Sequence, residues 1–316
     1  MKMMETPREA ATREALGPGL IEAAARQEIV VVDADLGKST TARQIAESYP
    51  DRFITFGIAE QNMASAAAGI ASVGFTVVAS TFAVFAEHAF DQWRMSVAQP
   101  NLDVNLFAAH GGGSTGEDGA AAQSVEDVGV FSSLVNFNVC VPADVVEAKS
   151  MVSAALNTYG PWYVRLGRAK VPVIYPEGNK FELGRADTLR EGSDVAIVAC
   201  GLMVERSLQA AEILQSVGIS ARVINMSSIR PLDEETLIKA AKETGAIVVA
   251  EEHLTHSGLG ALCAQVLAHE EPVPMEFVGI DNRYGESGKW FEVLELLGLT
   301  PEGIVTATQK VVSRRR

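Results

Sequence analysis

The sequence predicts an α/β fold of two consecutive, doubly wound domains with mainly parallel sheets. Along most of its 316 residues, short apolar runs alternate with amphipathic segments, and strands separated by helices of this length form βαβ units on a parallel sheet. The alternation stops over 171–194, which is rich in glycine and proline and lacks helical periodicity, and then resumes. We therefore predict a first domain over 1–175, a linker over 176–193 and a second domain over 194–316.

The first domain is predicted to open with a helical stretch over 6–27. Thr6 would be its N-cap, Pro7 would occupy the first helical position, and the Gly-Pro-Gly triplet at 17–19 would interrupt it. Apolar runs then predict strands at 28–32, 53–56, 76–80, 104–109, 138–141 and 162–165. Amphipathic segments between them predict helices at 41–49, 60–73, 83–97, 125–134 and 145–158.

The second domain repeats the same architecture without repeating the sequence. Its predicted strands lie at 195–200, 220–225, 246–251 and 275–278. Its predicted helices lie at 204–217, 233–244 and 258–269. The helix at 233 has a clear start, since Pro231 precedes it and three acidic residues fill its first turn.

Composition excludes several classes of protein. With 26 Lys and Arg against 40 Asp and Glu, the net charge is −14, and we expect no nucleic-acid partner because phosphate binding needs clustered cations. No run of 18 uncharged apolar residues or N-terminal apolar signal segment occurs, so we expect a cytoplasmic protein without a membrane span. The three cysteines have no metal-ligand spacing and are predicted to be core residues.

Two predicted strands end in acidic residues. Asp33 and Asp35 follow the first apolar run, where parallel strands bring their carboxyl ends to a ligand site; either carboxylate could instead cap the next turn. Glu60 begins a helix rich in Ala and Gly, where it could be a partly buried proton-transfer group. The alternative for Glu60 is an ordinary first-turn glutamate stabilised by the helix dipole.

An aromatic stripe follows the third predicted strand. Phe82, Phe85 and His88 recur at three-residue spacing, which is typical either of core packing or of a flat-ring pocket at a strand end.

A long polar loop follows the fourth strand and holds His110, Glu117, Asp118 and Gln123 among glycines. Such loops are often functional, and a merely mobile surface loop is the alternative. The glycines at 111, 113 and 116 match G-x-G-x-x-G, but no helical pattern opens directly after them, which argues against a dinucleotide site.

Arginines supply the remaining candidates. Arg165 and Arg168 lie at the end of the last strand of the first domain, and Arg13 lies near the N-terminus. A guanidinium is a planar fork of donors suited to phosphate; surface ion pairs with the abundant carboxylates are the alternative.

Taken together, these segments resemble the transketolase family of thiamine-diphosphate enzymes along nearly the whole chain. GIAEQNM is similar to the segment that bears the family's catalytic glutamate, which implies this role for Glu60. STFAVFAEHA is similar to the family's aromatic pocket for the aminopyrimidine ring of the cofactor. This implies that Phe82, Phe85 and His88 bind that ring, although the family usually has Tyr at the position of His88.

The remaining segments resemble the parts of the family that bind the sugar. ADLGKS implies Asp35 near the cofactor and Ser39 near a substrate phosphate. HGGGSTGEDG implies His110 and Asp118 on the sugar, with a catalytic role for His110 as well, and R-L-G-R-x-x-x-P implies Arg168 on the phosphate. Arg13 is a further substrate-binding candidate.

The family's segment for the cofactor diphosphate and its divalent metal, G-D-G followed further on by Asn, does not occur in this sequence. The resemblance therefore implies the C-terminal subunit of a split transketolase, active only with an N-terminal subunit that holds the diphosphate domain and the Mg²⁺ or Ca²⁺ ligands. We expect no metal ligand on this chain, and a heterotetramer built around a homodimer of it. The implied reaction transfers a two-carbon ketol unit from a ketose phosphate to an aldose phosphate.

One departure leaves alternatives open. The family's substrate loop usually continues G-E-D-G-P-T-H-Q, whereas this chain has Ala122 in place of that histidine, which puts the usual pentose-phosphate specificity in doubt. A 1-deoxyxylulose-5-phosphate synthase-like or other thiamine-diphosphate ketol or acyl transferase subunit is one alternative. A non-catalytic regulatory subunit is the other.

Overall fold

The computed structural model describes residues 8–315, so the predicted helix start at Thr6 and Pro7 lies outside the described residues. The strands are β1 (Glu9–Ala11), β2 (Ile29–Asp33), β3 (Phe53–Thr55), β4 (Thr76–Phe82), β5 (Val104–Ala109), β6 (Asn138–Cys140), β7 (Trp162–Leu166), β8 (Lys170–Pro172), β9 (Asp187–Arg190), β10 (Val195–Ala199), β11 (Ala221–Asn225), β12 (Ser228–Arg230), β13 (Ile247–Leu254) and β14 (Met275–Ile280).

The α-helices are α1 (Leu16–Ala24), α2 (Gly37–Thr40), α3 (Ile45–Ser48), α4 (Glu60–Ser72), α5 (Ala83–Ala86), α6 (Phe90–Gln92), α7 (Asp127–Ser132), α8 (Val145–Leu156), α9 (Met203–Ser216), α10 (Glu234–Thr244), α11 (Leu259–Glu270), α12 (Trp290–Leu296) and α13 (Pro301–Val312). Short 3₁₀ segments cover Thr12–Ala15, Ala42–Gln44, Pro50–Arg52, Glu87–Ala89 and Gly113–Asp118, and a π-helical turn covers Trp93–Ala98.

Two mainly parallel sheets form the framework, as the sequence predicts. The first sheet has the order β12-β6-β7-β5-β4-β2-β3 and is parallel except for β12. The second has the order β14-β13-β10-β11-β9 and is parallel except for β9. Strands β1 and β8 form a separate antiparallel ribbon. The predicted fold class is confirmed.

The central strands of the first sheet, β2, β4, β5 and β7, are buried on both faces, which explains why they are mainly apolar runs. Successive side chains of a strand point to opposite faces. Accordingly, Val31 packs in the core that contains Leu16 and Met151, whereas Val32 packs in the core that contains Met63. The predicted core positions of the cysteines are also confirmed, since all three are free and buried.

The N-terminal segment differs from the prediction. Residues 9–11 form a strand, because they pair with β8 far along the chain, and the glycine-proline triplet lies inside α1 instead of interrupting it. Pro18 falls in the first turn of α1, where its missing N–H would have no helical partner. A Cβ on Gly17 would lie 2.7 Å from the Thr41 carbonyl oxygen, so the lack of a side chain at this position lets α1 pack closely against Thr41.

Two predicted helices are broken into short pieces. The segment predicted at 41–49 consists of a 3₁₀ turn (Ala42–Gln44) followed by α3, and Thr41, whose backbone is left-handed with φ of 69°, separates it from α2. The segment predicted at 83–97 is divided into α5, a 3₁₀ turn, α6 and the π-helical turn.

The predicted linker contains part of a sheet, since β9 pairs with β11 at the edge of the second sheet. Conversely, β12 comes from the predicted second domain and pairs with β6 of the first sheet. The two halves are therefore interlocked through strand pairing, and the domain limits stay a prediction. Within residues 8–315, no helix has the length and apolar character needed to cross a membrane.

Candidate active site

The strand order brings most of the candidate residues to one edge of the first sheet. Strands β7, β5, β4, β2 and β3 are adjacent and parallel, so their carboxyl ends lie side by side. The candidates follow these ends in turn, and ligands bind at such edges in open α/β sheets. They are Arg168 after β7, His110 after β5, Phe82, Phe85 and His88 at and after β4, Asp35 and Ser39 after β2, and Glu60 after β3.

Glu60 is buried although it opens a helix. It is the first residue of α4 and is 6% exposed. Its Oε2 lies 3.9 Å from Nδ1 of His88, whose side chain is 78% exposed. The next residue, Gln61, donates from Nε2 to the carbonyl of His88 at 3.1 Å, which fixes the start of α4 against the aromatic segment. The carboxyl group of Glu60 therefore lies where the segment after β3 meets the segment after β4.

Three flat rings stack at the same edge of the sheet. The Phe82 and Phe85 rings lie 5.7 Å apart at an interplanar angle of 12°, and the Phe82 ring stacks on His110 with centroids 3.6 Å apart. Phe82 is buried and Phe85 is half-buried, so part of the Phe85 side chain remains accessible.

His110 occupies an unusual position. Its backbone is left-handed, with φ of 62°, a conformation that is uncommon for residues other than glycine and is often found at functional sites. Burial, assisted by the positive charges of Arg13 and Arg168, lowers the pKa of His110 to about 3. The ring is therefore neutral at pH 7, and its Nδ1 is buried without a hydrogen-bond partner in the structure. A neutral ring offers one donor and one acceptor to a bound ligand.

Two arginines face His110 from different elements. Nη1 of Arg13 lies 3.4 Å from Nε2 of His110 and donates to the carbonyl of Ser39 at 2.9 Å. Arg168 donates from Nη1 to the carbonyl of Thr115 at 3.1 Å. The structure thus brings together Arg13, Ser39, His110 and Arg168, a cluster with two fixed cations.

Acidic side chains balance these cations. Arg168 Nη1 lies 3.0 Å from Glu117 Oε2, and Arg168 Nε lies 3.6 Å from Asp118 Oδ2. The same Asp118 oxygen lies 3.9 Å from Nε2 of His110. Because both acids are substantially exposed, these ion pairs contribute little to stability and are easily displaced by another anion.

The N-terminal ribbon positions Arg13. Thr12 accepts a hydrogen bond from the Gly167 amide at 2.6 Å, and the Thr41 hydroxyl donates to the Arg13 carbonyl at 3.0 Å. The strand at 9–11, which the sequence analysis missed, therefore carries a candidate residue to the end of β7.

Three candidates lie apart from this cluster. Asp35 is exposed in a turn with φ of 63°, and it shares none of the hydrogen bonds or ion pairs described above. Asp33 is buried and accepts from the Leu36 amide at 3.3 Å, so it caps the turn, the alternative that the sequence left open. Arg165 forms a buried ion pair with Asp127 at 3.0 Å.

Sequence reasoning missed Glu87, a carboxylate within the aromatic segment after β4. Its Oε1 accepts a hydrogen bond from the Ser124 hydroxyl at 2.5 Å. Burial raises the pKa of Glu87 to about 8 despite this hydrogen bond, and the negative charges of Asp127 and Glu126 act in the same direction as burial. Glu87 joins the aromatic segment to the end of the glycine-rich loop. Its only sequence signal is a carboxylate at an otherwise apolar position.

No group of three or more His, Cys, Asp and Glu residues within 8–315 is arranged to hold a metal ion.

The fold and the site together define a two-domain α/β protein. Its aromatic pair and buried carboxyl group suit a flat ring, and its two arginines suit an anion. Residues 8–173 match the transketolase pyrimidine-binding domain, and residues 184–304 match the transketolase C-terminal domain. The chain belongs to the transketolase family, whose members depend on thiamine diphosphate.

Its relatives include proteins of similar length. It is 39% identical to a putative transketolase C-terminal section from Methanocaldococcus jannaschii, over 92% of this chain and 93% of that protein. It is 36% identical to the 6-deoxy-6-sulfo-D-fructose transketolase subunit SqwH of a Clostridium species, over 94% of this chain and 92% of that protein. A solved split-gene transketolase, an inactive β4 tetramer, is 44% identical with a TM-score of 0.91 over 97% of this chain and 99% of that chain.

The pKa of Glu87 predicts a pH-dependent stability. Because this pKa is higher in the folded protein than in the unfolded chain, the stabilising contribution is complete below about pH 4.3 and is lost as the pH rises through about 8. We expect Glu87→Gln to remove part of the fall in the free energy of unfolding between about pH 5 and about pH 8, on the order of a few kcal/mol. Urea unfolding across this range measures it, with the exposed Glu28→Gln as control. Parallel pH profiles for wild type and Glu87→Gln would contradict the assignment.

Proposed function

We propose that this chain is the C-terminal subunit of a split transketolase that uses thiamine diphosphate to transfer a two-carbon ketol unit from a ketose phosphate to an aldose phosphate. One observation carries the proposal: a buried glutamate, a stacked aromatic pair and two arginines converge at the ends of five adjacent strands. The split relatives of matching length support the subunit assignment.

The residues fit the aminopyrimidine end of the cofactor. The half-buried ring of Phe85 continues the Phe82 stack and offers an apolar face, and aromatic rings pack well in this offset manner. Glu60 and His88, whose side chains lie 3.9 Å apart, offer a carboxyl group and an imidazole to ring nitrogens. We assign Phe82, Phe85, His88 and Glu60 to this ring, with Asp35 at the margin of the cofactor site.

Glu60 has the position required to hold a proton at N1′ of the aminopyrimidine. When bound, thiamine diphosphate supplies the nucleophilic carbon and the electron sink for the ketol transfer. The contribution of this chain is to hold the ring through Glu60 and to exclude water from its apolar face through Phe82 and Phe85.

Arg13, Ser39, His110, Asp118 and Arg168 form the proposed sugar-phosphate side. A phosphate would replace Glu117 and Asp118 as the partner of Arg168, because a doubly charged anion outcompetes exposed carboxylates. The neutral His110 ring, with its free Nδ1, is available to the reacting end of the sugar as a hydrogen-bonding and catalytic group.

The identity of the sugar is open to a second candidate. The relative SqwH acts on 6-deoxy-6-sulfo-D-fructose, and a sulfonate offers three acceptor oxygens to the same arginines. Ala122 removes a side chain that the family usually presents to the sugar, so a ketose with a sulfonate terminus is the second candidate. Turnover of fructose 6-phosphate compared with its 6-sulfo analogue separates the two.

Partner dependence follows from what these residues provide. The assigned groups cover the aminopyrimidine ring and the sugar, and we assign the diphosphate and its Mg²⁺ or Ca²⁺ to an N-terminal transketolase subunit. The complex would contain two copies of each chain, with this chain as the central homodimer. The β4 assembly of the split-gene relative supports self-association.

Replacing Glu60 tests the catalytic assignment. In the complex with the N-terminal subunit, Glu60→Gln should reduce kcat by about 10²–10⁴, the usual range for a lost proton-transfer group. Glu47 is a suitable control, since it also lies in the first turn of a helix but is exposed. Steady-state assays of both variants decide the matter: a Glu60→Gln enzyme within about threefold of wild type would exclude the assignment.

Replacing Arg168 tests the phosphate assignment. Arg168→Ala should raise KM for a phosphorylated ketose by roughly tenfold or more, because a charged hydrogen bond is worth about 1.5–3 kcal/mol, and should barely change KM for an unphosphorylated donor. Arg185→Ala, at an exposed position, is the control. Equal effects on both donors would mean that Arg168 does not contact the phosphate.

Calorimetry tests partner dependence. The purified chain alone should show no micromolar binding of thiamine diphosphate with magnesium, whereas addition of the N-terminal subunit should restore binding and turnover. The physical reason is that the diphosphate of the cofactor would otherwise remain in water without its metal. If the chain without its partner subunit binds the cofactor and is stable and active, the split-enzyme proposal is wrong.

A further inference from the structure

The glycine-rich loop after β5 is covered by the second half of the chain. A Cβ on Gly112 would collide with the carboxyl group of Glu252. On Gly113 it would lie 2.8 Å from Leu297, and on Gly116 it would lie 3.2 Å from Trp290. A Cβ on Gly119 would collide with the hydroxyl of Ser287. A side chain at any of these four positions would contact the second half of the chain. The glycines therefore allow the loop and the second half to pack closely.

Hydrogen bonds tie the loop at its start. The carboxylate of Glu252, which is 7% exposed, accepts the backbone N–H of Ser114. The backbone carbonyl of Glu252 accepts from Arg165 Nη1 at 2.8 Å, and the same arginine donates from Nη2 to the Ser124 carbonyl at 3.0 Å. One residue of β13 therefore holds the beginning of the loop and, through Arg165, its end.

A second tie fixes the far side. Gln123 donates from Nε2 to the Gly116 carbonyl at 3.1 Å and to the Glu286 carbonyl at 2.9 Å. The loop is thus held from two directions by groups beyond residue 250.

The proposed sugar-binding groups depend on this arrangement. His110 and Asp118 belong to the loop, and Arg168 donates to the Thr115 carbonyl, one residue after the amide that Glu252 holds. A shift of about 1 Å in such groups is enough to weaken recognition strongly.

We propose that Glu252 is a positioning residue that holds the 110–124 loop in its sugar-binding form, so that the second half of the chain sets the affinity for the sugar and does more than assemble the enzyme. This inference rests on the proposed function for its substrate, while its structural step concerns the loop alone.

The chain offers a matched control at the neighbouring position. Glu251 is also buried and also accepts backbone N–H groups, those of Leu259 and Gly260 at 2.7 Å each, but these belong to α11. Glu252→Ala and Glu251→Ala therefore remove the same chemical group from two sides of one strand. Glu252→Gln keeps an acceptor and should restore the loop.

Hydrogen–deuterium exchange on the full chain tests the structural step without a substrate. Amides over 112–119 should exchange roughly tenfold to hundredfold faster in Glu252→Ala than in wild type, whereas Glu251→Ala should leave them unchanged. If Glu252→Ala does not fold, Gln123→Ala breaks the tie to Glu286 and should speed exchange over 116–123. Equal exchange of the loop in wild type and in the loop variants overturns the proposal, whatever the enzyme's activity.

Kinetics of the complex with the N-terminal subunit test the functional step. With fructose 6-phosphate as donor, Glu252→Ala should raise KM roughly tenfold or more, with recovery in Glu252→Gln, while the calorimetric affinity for thiamine diphosphate stays unchanged. An equal rise in KM in Glu251→Ala, or a loss of cofactor affinity in Glu252→Ala alone, would show a general structural effect and overturn the role. If the loop amides exchange as expected but the complex shows no transketolase turnover, the result counts against the proposed function. It leaves the positioning role of Glu252 intact.

Discussion

The adjacency of β7, β5, β4, β2 and β3 in one parallel sheet is the constraint on which the rest of the site depends. Parallel neighbours end at the same edge, so residues far apart in the chain become neighbours once the strands pair. Phe82 and His110 illustrate this, because each lies at the end of its own strand and their rings stack with centroids 3.6 Å apart. Of the strands that form this edge, β2, β4, β5 and β7 are buried on both faces, which makes the positions of their ends rigid.

Charge at this edge is balanced rather than accumulated. Arg168 is paired with two exposed carboxylates, and Arg13 donates to a backbone carbonyl and lies against a neutral imidazole. Exposed pairs of this kind contribute little to stability, so a phosphate or sulfonate can exchange for the carboxylates at small cost. The overall charge of −14 would otherwise repel the anionic sugar that we propose as substrate. A local pair of arginines, positioned by backbone contacts, is therefore needed to attract it.

Local patterns predicted what local physics decides. The apolar runs predicted the central strands of both sheets, and the short sequence segments pointed to Glu60, Phe82, Phe85 and His110 as candidate site residues. These patterns did not predict features that depend on distant contacts. Residues 9–11, for example, form a strand because they pair with residues 170–172. Glu87 and Glu252 likewise look like ordinary carboxylates in the sequence, because their burial comes from elements far along the chain. The break at Thr41 depends on a left-handed backbone that no residue preference announces.

The glycine-rich loop shows why a motif must be judged by its surroundings. Its glycines match the spacing of a dinucleotide fingerprint, in which missing side chains let a backbone approach a pyrophosphate at a helix start. Here the missing side chains make room for Glu252, Leu297 and Trp290 of the same chain. A larger residue at position 112 would displace the Glu252 carboxyl group from the amide it holds and would be strained by the positive φ of 85° at this position. The steric requirement is the same in both cases, but the occupant is protein, and the consequence is a loop whose shape is set by the half of the molecule that contributes none of the proposed catalytic residues.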